Sequence, residues 1–149
     1  MDPTAVRTLG VDLGRRRIGL AISDPTGTLA RPLKTLVLSP SGRISAVDAV
    51  AREIRQLAAE EDGLALVVVG VPASLDGSST PQTLEATAFM AALGRATALP
   101  IVGEDERLTS HEADERLATH ERRWARRKQK LDAAAAAIIL QSYLDRTSA

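Results

Sequence analysis

Residues 6–23 read VRTLGVDLGRRRIGLAIS, and this stretch decides how the fold begins. Its two apolar runs, residues 6–13 and 17–23, predict two strands, and at the turn between them Gly14 is followed by three consecutive arginines, the last of which opens the second run. Gly19 lies inside the second run, where a residue without a side chain weakens a strand. Its presence indicates that another part of the backbone approaches closely at this point.

A third apolar run, residues 29–38, predicts another strand, with Pro32 placing it at a sheet edge or a bulge. Three consecutive strands indicate an antiparallel meander. Helical spacing then alternates with short apolar runs, and Thr80-Pro81 predicts an N-cap and a first helical residue. We therefore predict an α/β fold with a mixed five-stranded sheet flanked by helices. The expected order is β-β-β-α-β-α-β-α-α, with the later elements at 43–61, 64–69, 81–97, 100–103, 110–119 and 131–145.

Length and composition exclude several classes of protein. The 149 residues, 44% of them hydrophobic, suit one domain, residues 1–149, with a substantial core. The absence of Cys excludes disulfides and thiolate metal sites, and two His are too few for a His-rich site. No long apolar run follows a basic stretch at the N-terminus, and no segment has transmembrane length. We expect a cytoplasmic protein that does not bind membranes.

Charge is balanced overall but concentrated locally. The net charge is zero, whereas residues 122–130, RRWARRKQK, hold six basic residues and no acid. Such a run is often a solvated linker, but it can also neutralise phosphates while an aromatic residue stacks on a base. The candidate nucleic-acid contacts in this run are Arg122, Arg123, Trp124, Arg126, Arg127, Lys128 and Lys130. A second candidate group is Arg15, Arg16 and Arg17, which lie close in sequence to Asp12.

Three acidic positions far apart in the chain lie where a strand is expected to end or a helix to begin: Asp12, the Asp105-Glu106 pair and Asp132. Brought together by a sheet, they would form a cage for hard divalent cations, which activate water against phosphodiesters. Each also has a simpler interpretation, as a turn cap, a solvated loop or a helix N-terminal acid. Asp132 shares a helix face with Ala136 and similar residues, so its side chain should point toward the sheet.

The acidic pair leaves a choice open. Adjacent residues of an extended chain face opposite sides, so only one of Asp105 and Glu106 is expected to enter the site, and Glu104 is a third candidate. The sheet is expected to be buried on both faces, so the apolar residues around the pair do not decide between them.

Four segments together resemble the motif regions of the bacterial YqgF/RuvX family. They are VDLGRRRIGLAISD, GVPASLDGSS, EDERLTSHEA and KLDAAAAAIILQSYLD, and the resemblance covers about residues 6–145. It implies an RNase H-like fold and a nuclease that processes the 5′ end of pre-16S ribosomal RNA or resolves Holliday junctions. The partner would be structured RNA or branched DNA. The protein would be a monomer or a homodimer, since symmetric junction cutting needs a dimer.

The resemblance also implies roles for particular residues. Asp12 would bridge two Mg²⁺ or Mn²⁺ ions in a two-metal hydrolysis of phosphodiesters, and Arg107 or Arg15 would hold the scissile phosphate. The catalytic, metal-binding carboxylates would be Asp12, Asp105 or Glu106, and Asp132. Cleavage would leave 5′-phosphate and 3′-hydroxyl ends.

Two other hypotheses remain at this point. An Asp-x-Gly hairpin also cradles phosphate in ATPases of the actin and sugar-kinase type, but those proteins need two lobes, and 149 residues allow one. A non-catalytic module could keep the fold and bind nucleic acid through the basic run. Retention of all the acidic residues argues against this second hypothesis.

Overall fold

The computed structural model describes residues 6–40, 42, 44–72, 76–106 and 124–147, with only the backbone described over 124–131. Within these residues it contains five strands and three helices. The strands are β1 (Arg7–Leu13), β2 (Arg17–Ser23), β3 (Ala30–Val37), β4 (Leu64–Val71) and β5 (Ile101–Asp105). The helices are α1 (Ala46–Ala58), α2 (Pro81–Ala96) and α3 (Trp124–Thr147).

The strands form one five-stranded sheet in the order β3-β2-β1-β4-β5. β1 pairs antiparallel with β2, and β2 with β3, whereas β1 pairs parallel with β4, and β4 with β5. The predicted mixed sheet, with its meander followed by parallel strands, is therefore confirmed. Because β1, β4 and β5 run in the same direction, their carboxyl ends meet at one edge of the sheet, beside the amino end of β2.

The prediction for Pro32 is also confirmed. β3 is an edge strand, and the register of the β2–β3 pair shifts between Leu20 and Ala21, directly opposite Pro32. Proline has no N–H to donate to the ladder, so an edge position with a local bulge is where a strand tolerates it.

The helices cover both faces of the sheet. α1 and α2 pack on one face, over a core of Leu, Ile, Val and Phe side chains that includes Leu9, Ile54 and Phe89. α3 lies on the other face, where it contacts every strand and buries Ala136 and Leu140. None of the described helices combines the length and apolar composition needed to cross a membrane.

Three glycines let α3 approach the sheet closely. A Cβ at Gly10 of β1 would lie 2.8 Å from Leu140 Cβ, and one at Gly70 of β4 would lie 2.6 Å from Ile139 Cδ1. At Gly19 of β2 a Cβ would lie only 1.9 Å from the backbone oxygen of Asp132. The close backbone approach predicted from Gly19 is therefore confirmed, and α3 is the element that makes it.

Some expected boundaries were wrong. α3 begins at Trp124 rather than near residue 131, because Ala, Arg, Lys and Gln favour helices and no Gly or Pro interrupts 124–147. Asp132 therefore lies inside a helix and not at its start. β5 extends to Asp105 because its pairing with β4 continues to Val71. The helix expected over 110–119 lies outside the described residues.

Substituting alanine for Gly19 should destabilise the protein, because the added Cβ meets the α3 backbone. Overpacking of this kind costs about 1–3 kcal/mol or more. Gly94→Ala is the matched control, since its Cβ meets only Ile101 Cγ1 at 3.9 Å and alanine favours the helix. Urea unfolding of both variants checks this, and equal stabilities for the two variants would contradict the packing.

Candidate active site

Asp12 and Glu106 meet at the common edge formed by the carboxyl ends of β1, β4 and β5. Their side chains hydrogen-bond to each other. The backbone N–H of Glu106 also donates to the Val71 carbonyl over 3.2 Å, which continues the β4–β5 pairing by one residue. Gly70 makes room, since a Cβ there would lie 2.8 Å from Glu106 Cγ. Two acidic residues separated by most of the chain are thereby brought into contact.

The structure shows which of the three neighbouring acids, Glu104, Asp105 and Glu106, points toward Asp12. Side chains alternate along β5, and Gly103 lies on the α2 face, where a Cβ would be 3.4 Å from Met90 Cε. Asp105 shares that parity and is exposed. Glu104 is on the α3 face but is buried there, where it accepts hydrogen bonds from Ser142 Oγ at 2.8 Å and from Arg146. Of the three acids, Glu106 is the one that contacts Asp12.

Desolvation dominates the electrostatics of this pair. Burial, the hydrogen bond to Asp12 and the charges of Asp12 and Asp105 together raise the pKa of Glu106 to about 9. Burial likewise raises the pKa of Asp12, where the hydrogen bond from Glu106 opposes the shift and the charge of Asp132 adds to it. Glu106 therefore keeps its proton near neutral pH and shares it with Asp12 through their hydrogen bond.

Asp132 lies beside this pair, on the face of α3 that covers the sheet. Its negative charge acts on Asp12, but its own carboxylate is bound elsewhere: Arg17 Nε donates to Asp132 Oδ2 over 2.7 Å. The inward orientation expected for Asp132 fits both observations. The three predicted carboxylates therefore occupy one region, with two in direct contact and the third paired to a guanidinium.

The donor chemistry of this region fits a hard divalent cation. Carboxylate oxygens are the ligands that Mg²⁺ and Mn²⁺ prefer. A cation would offset the desolvation that now raises the pKa values of Asp12 and Glu106. In the arrangement seen across the described residues, no three Asp, Glu, His or Cys side chains form a group that could hold a metal ion.

The predicted nucleic-acid contacts are only partly covered by the structure. Arg15 and Arg16 are exposed in the β1–β2 turn, at the same edge of the sheet as Asp12. Arg107, Arg122 and Arg123 lie outside the described residues. Residues 124–130, which hold Trp124 and the remaining basic residues of the run, are helical, and their side chains are not described. Their contacts with nucleic acid stay predictions.

Sequence reasoning missed two features of the region. It did not find the pairing of Arg17 with Asp132, because the two residues are 115 positions apart and no local pattern links them. It also left Glu106 undecided, although a signal existed. Gly10 and Gly70, like Gly19, interrupt apolar strands. The three glycines lie on the face of the sheet that α3 covers, and Asp12 and Glu106 lie on the same face.

Comparison with known proteins identifies relatives over nearly the whole chain. The sequence model of a family described as "RuvX: Holliday junction resolvase" matches residues 6–146. A protein of Pelotomaculum thermopropionicum is 38% identical over 140 residues, 94% of this chain and 87% of its own length. One of Synechococcus elongatus is 41% identical over 138 residues, 92% of this chain and 87% of its own. Both carry the name "Putative pre-16S rRNA nuclease".

Solved structures show the same fold at low sequence identity. The chain is similar to Thermus thermophilus RuvC in complex with a Holliday junction substrate, with a TM-score of 0.55, 15% identity and 95% coverage of each chain. A second structure of T. thermophilus RuvC gives a TM-score of 0.51 at 16% identity, with 96% of this chain and 97% of that chain covered. The RNase H-like fold expected from the motifs is confirmed.

The raised pKa of Glu106 predicts how stability depends on pH. Between about pH 4.5, its ordinary pKa, and about pH 9, the folded protein keeps a proton that the unfolded chain releases. The free energy of unfolding should therefore fall as pH rises through this window, by up to about 1.4 kcal/mol per pH unit. Glu106→Gln, whose amide can donate to Asp12 without titrating, should make the dependence flatter.

Urea unfolding at pH 5, 7 and 9 in EDTA measures this dependence. Glu85→Gln, a charge-matched change at an exposed position of α2, should follow the wild type. Equal pH dependence in Glu106→Gln and the wild type would show that the Asp12–Glu106 proton does not control stability.

Proposed function

The chain belongs to the RuvX family, and we propose that it is a metal-dependent nuclease that hydrolyses phosphodiester bonds in structured nucleic acid. The observation that carries the proposal is the direct contact of Asp12 with Glu106 where three parallel strands end, with Asp132 beside them. Carboxylates gathered at a strand edge under a helix are costly to fold unless they bind a cation or a proton. Such local cost is typical of functional sites.

Asp12, Glu106 and Asp132 would hold Mg²⁺ or Mn²⁺ in this proposal, with Asp105 outside the site. When bound, such an ion supplies Lewis-acid activation of water and neutralises charge on the phosphate. Holding it requires Asp12 and Glu106 to give up the proton that they share, so cation binding should release protons and strengthen as pH rises.

The surrounding cations suit a polyanionic substrate. Arg15 and Arg16 extend from the exposed β1–β2 turn at the edge of the sheet that holds Asp12. We propose that they contact the phosphate backbone, together with Arg107 and the basic run at 122–130. Contacts of this kind are electrostatic and fix the position of the substrate without reading its sequence.

Precursor 16S ribosomal RNA is the substrate we propose first. The relatives that carry this name share about two fifths of their residues with the chain over more than nine tenths of it. Cleavage at the RNA 5′ end by a single domain, residues 1–149, in the cytoplasm requires no second subunit. A four-way DNA junction is the second candidate, favoured by the family description and by the fold shared with RuvC. Symmetric cutting of a junction would require a homodimer.

Conservative variants of the carboxylates test the proposed site. With Mg²⁺ or Mn²⁺ present, Asp12→Asn, Glu106→Gln and Asp132→Asn should each lower the cleavage rate at least about 100-fold, because each loses a charged ligand. Asp105→Asn is the matched comparison, and its loss should be at least about tenfold smaller than that of Glu106→Gln. Single-turnover cleavage by folded variants provides the measurement. Full activity in folded Asp12→Asn would refute the mechanism.

The same assay distinguishes the substrates when it includes a precursor RNA, a four-way DNA junction and a matched DNA duplex. Specific cleavage of the RNA at its 5′ segment supports the first candidate. Paired, symmetric cuts in the junction alone, by a species that sediments as a dimer, would replace it with the second.

A further inference from the structure

Arg17 forms the ion pair at the border of the carboxylate region. Its Nε donates to Asp132 Oδ2 over 2.7 Å, and the Arg17 and Asp132 side chains remain 32% and 26% exposed. A carboxylate has two oxygens, and one bond of this kind engages one of them while leaving the lone pairs of the other available. Arg17 therefore restricts the direction in which Asp132 can present its remaining oxygen.

The backbone of Asp132 is fixed from the same strand. A Cβ at Gly19 would lie 1.9 Å from the Asp132 carbonyl oxygen, so β2 and α3 are in direct backbone contact there. Arg17 and Gly19 are two residues apart in β2 and so lie on one face. With the backbone held at Gly19, the freedom left to Asp132 is rotation of its short side chain, and that is the freedom the Arg17 bond removes.

We infer that Arg17 is a positioning residue for Asp132. Arg17 holds one carboxylate oxygen of Asp132 so that the other oxygen would face a divalent cation shared with Asp12 and Glu106. The inference rests on the proposed function, because it takes Asp132 as a cation ligand. Hydrogen bonds to ligating carboxylates fix their orientation, and their loss typically weakens metal binding about 10–100-fold. Sequence alone had suggested only phosphate contact for Arg17, and that prediction remains compatible, since the guanidinium is partly exposed.

The positive charge of Arg17 and its hydrogen bond to Asp132 are expected to have opposite effects on the affinity of the site for a cation. A guanidinium next to the site repels a cation, so Coulomb's law by itself predicts that removing Arg17 would tighten cation binding. Positioning predicts weaker binding on the same change. The sign of the effect therefore distinguishes a positioning residue from a cation that merely competes for Asp132.

Calorimetric titration of the full chain with Mn²⁺ tests the inference without relying on activity. Arg17→Gln should raise the Kd for Mn²⁺ about 10–100-fold, and Asp132→Asn should raise it as well. If Arg17 acts through Asp132, the double variant should bind Mn²⁺ no more weakly than Asp132→Asn alone. Arg52→Gln removes the same charge from an exposed position of α1, on the opposite face of the sheet, and should leave the Kd unchanged.

Each other outcome overturns the inference. An unchanged or lower Kd in Arg17→Gln, with a raised Kd in Asp132→Asn, rejects the role of Arg17 and leaves the proposed site intact. Additive losses in the double variant show that Arg17 acts independently of Asp132. An unchanged Kd in Asp132→Asn overturns the proposed ligand set and the inference together. If Arg17→Gln does not fold, Arg17→Lys replaces it: a lysine lacks the planar Nε–H, so wild-type affinity in that variant would also reject the inference.

Discussion

The close packing of α3 on the sheet is the constraint on which the rest of the structure depends. A 24-residue helix crosses all five strands, and Gly10, Gly19 and Gly70 give it the space to do so. Because protein interiors do not tolerate overlap, a methyl group at Gly10 or Gly19 would push the helix away from the sheet, and one at Gly70 would displace the side-chain ends of Ile139 and Glu106. The same approach brings Asp132 over β2 and leaves room for Glu106 beside β4, so the helix packing and the candidate site are one arrangement.

The packing of α3 buries carboxyl groups, and the loss of their hydration costs free energy that the described residues only partly offset. Asp12 and Glu106 reduce this cost by sharing a proton, and Asp132 reduces it by its ion pair with Arg17. Glu104 lies on the same face of the sheet, and there Ser142 donates a hydrogen bond to one of its carboxylate oxygens and Arg146 to the other. Glu104 therefore anchors α3 to β5, whereas the Asp12–Glu106 pair remains suited to exchange its proton for a cation.

Much of the fold followed from local patterns in the sequence. The meander, the position of Pro32 and the N-cap at Thr80 were predicted because turn and cap chemistry is local, and the structure confirms all three. The choice of Glu106 over Asp105 was not predictable from the apolar residues. It depends on β5 continuing past residue 103 in register with β4, and on a contact with α2 that fixes the parity of the strand. The pairing of Arg17 with Asp132 depends likewise on tertiary packing.

A crystal structure of the protein soaked in Mn²⁺, with the metal located by its anomalous signal, would show whether the three carboxylates bind one cation. We expect manganese bonded to carboxylate oxygens of Asp12, Glu106 and Asp132, with the Asp12–Glu106 hydrogen bond replaced and Asp105 still turned toward the α2 face. Manganese bound by Asp105, or an intact Asp12–Glu106 hydrogen bond with no manganese beside it at saturating concentration, would refute this metal site.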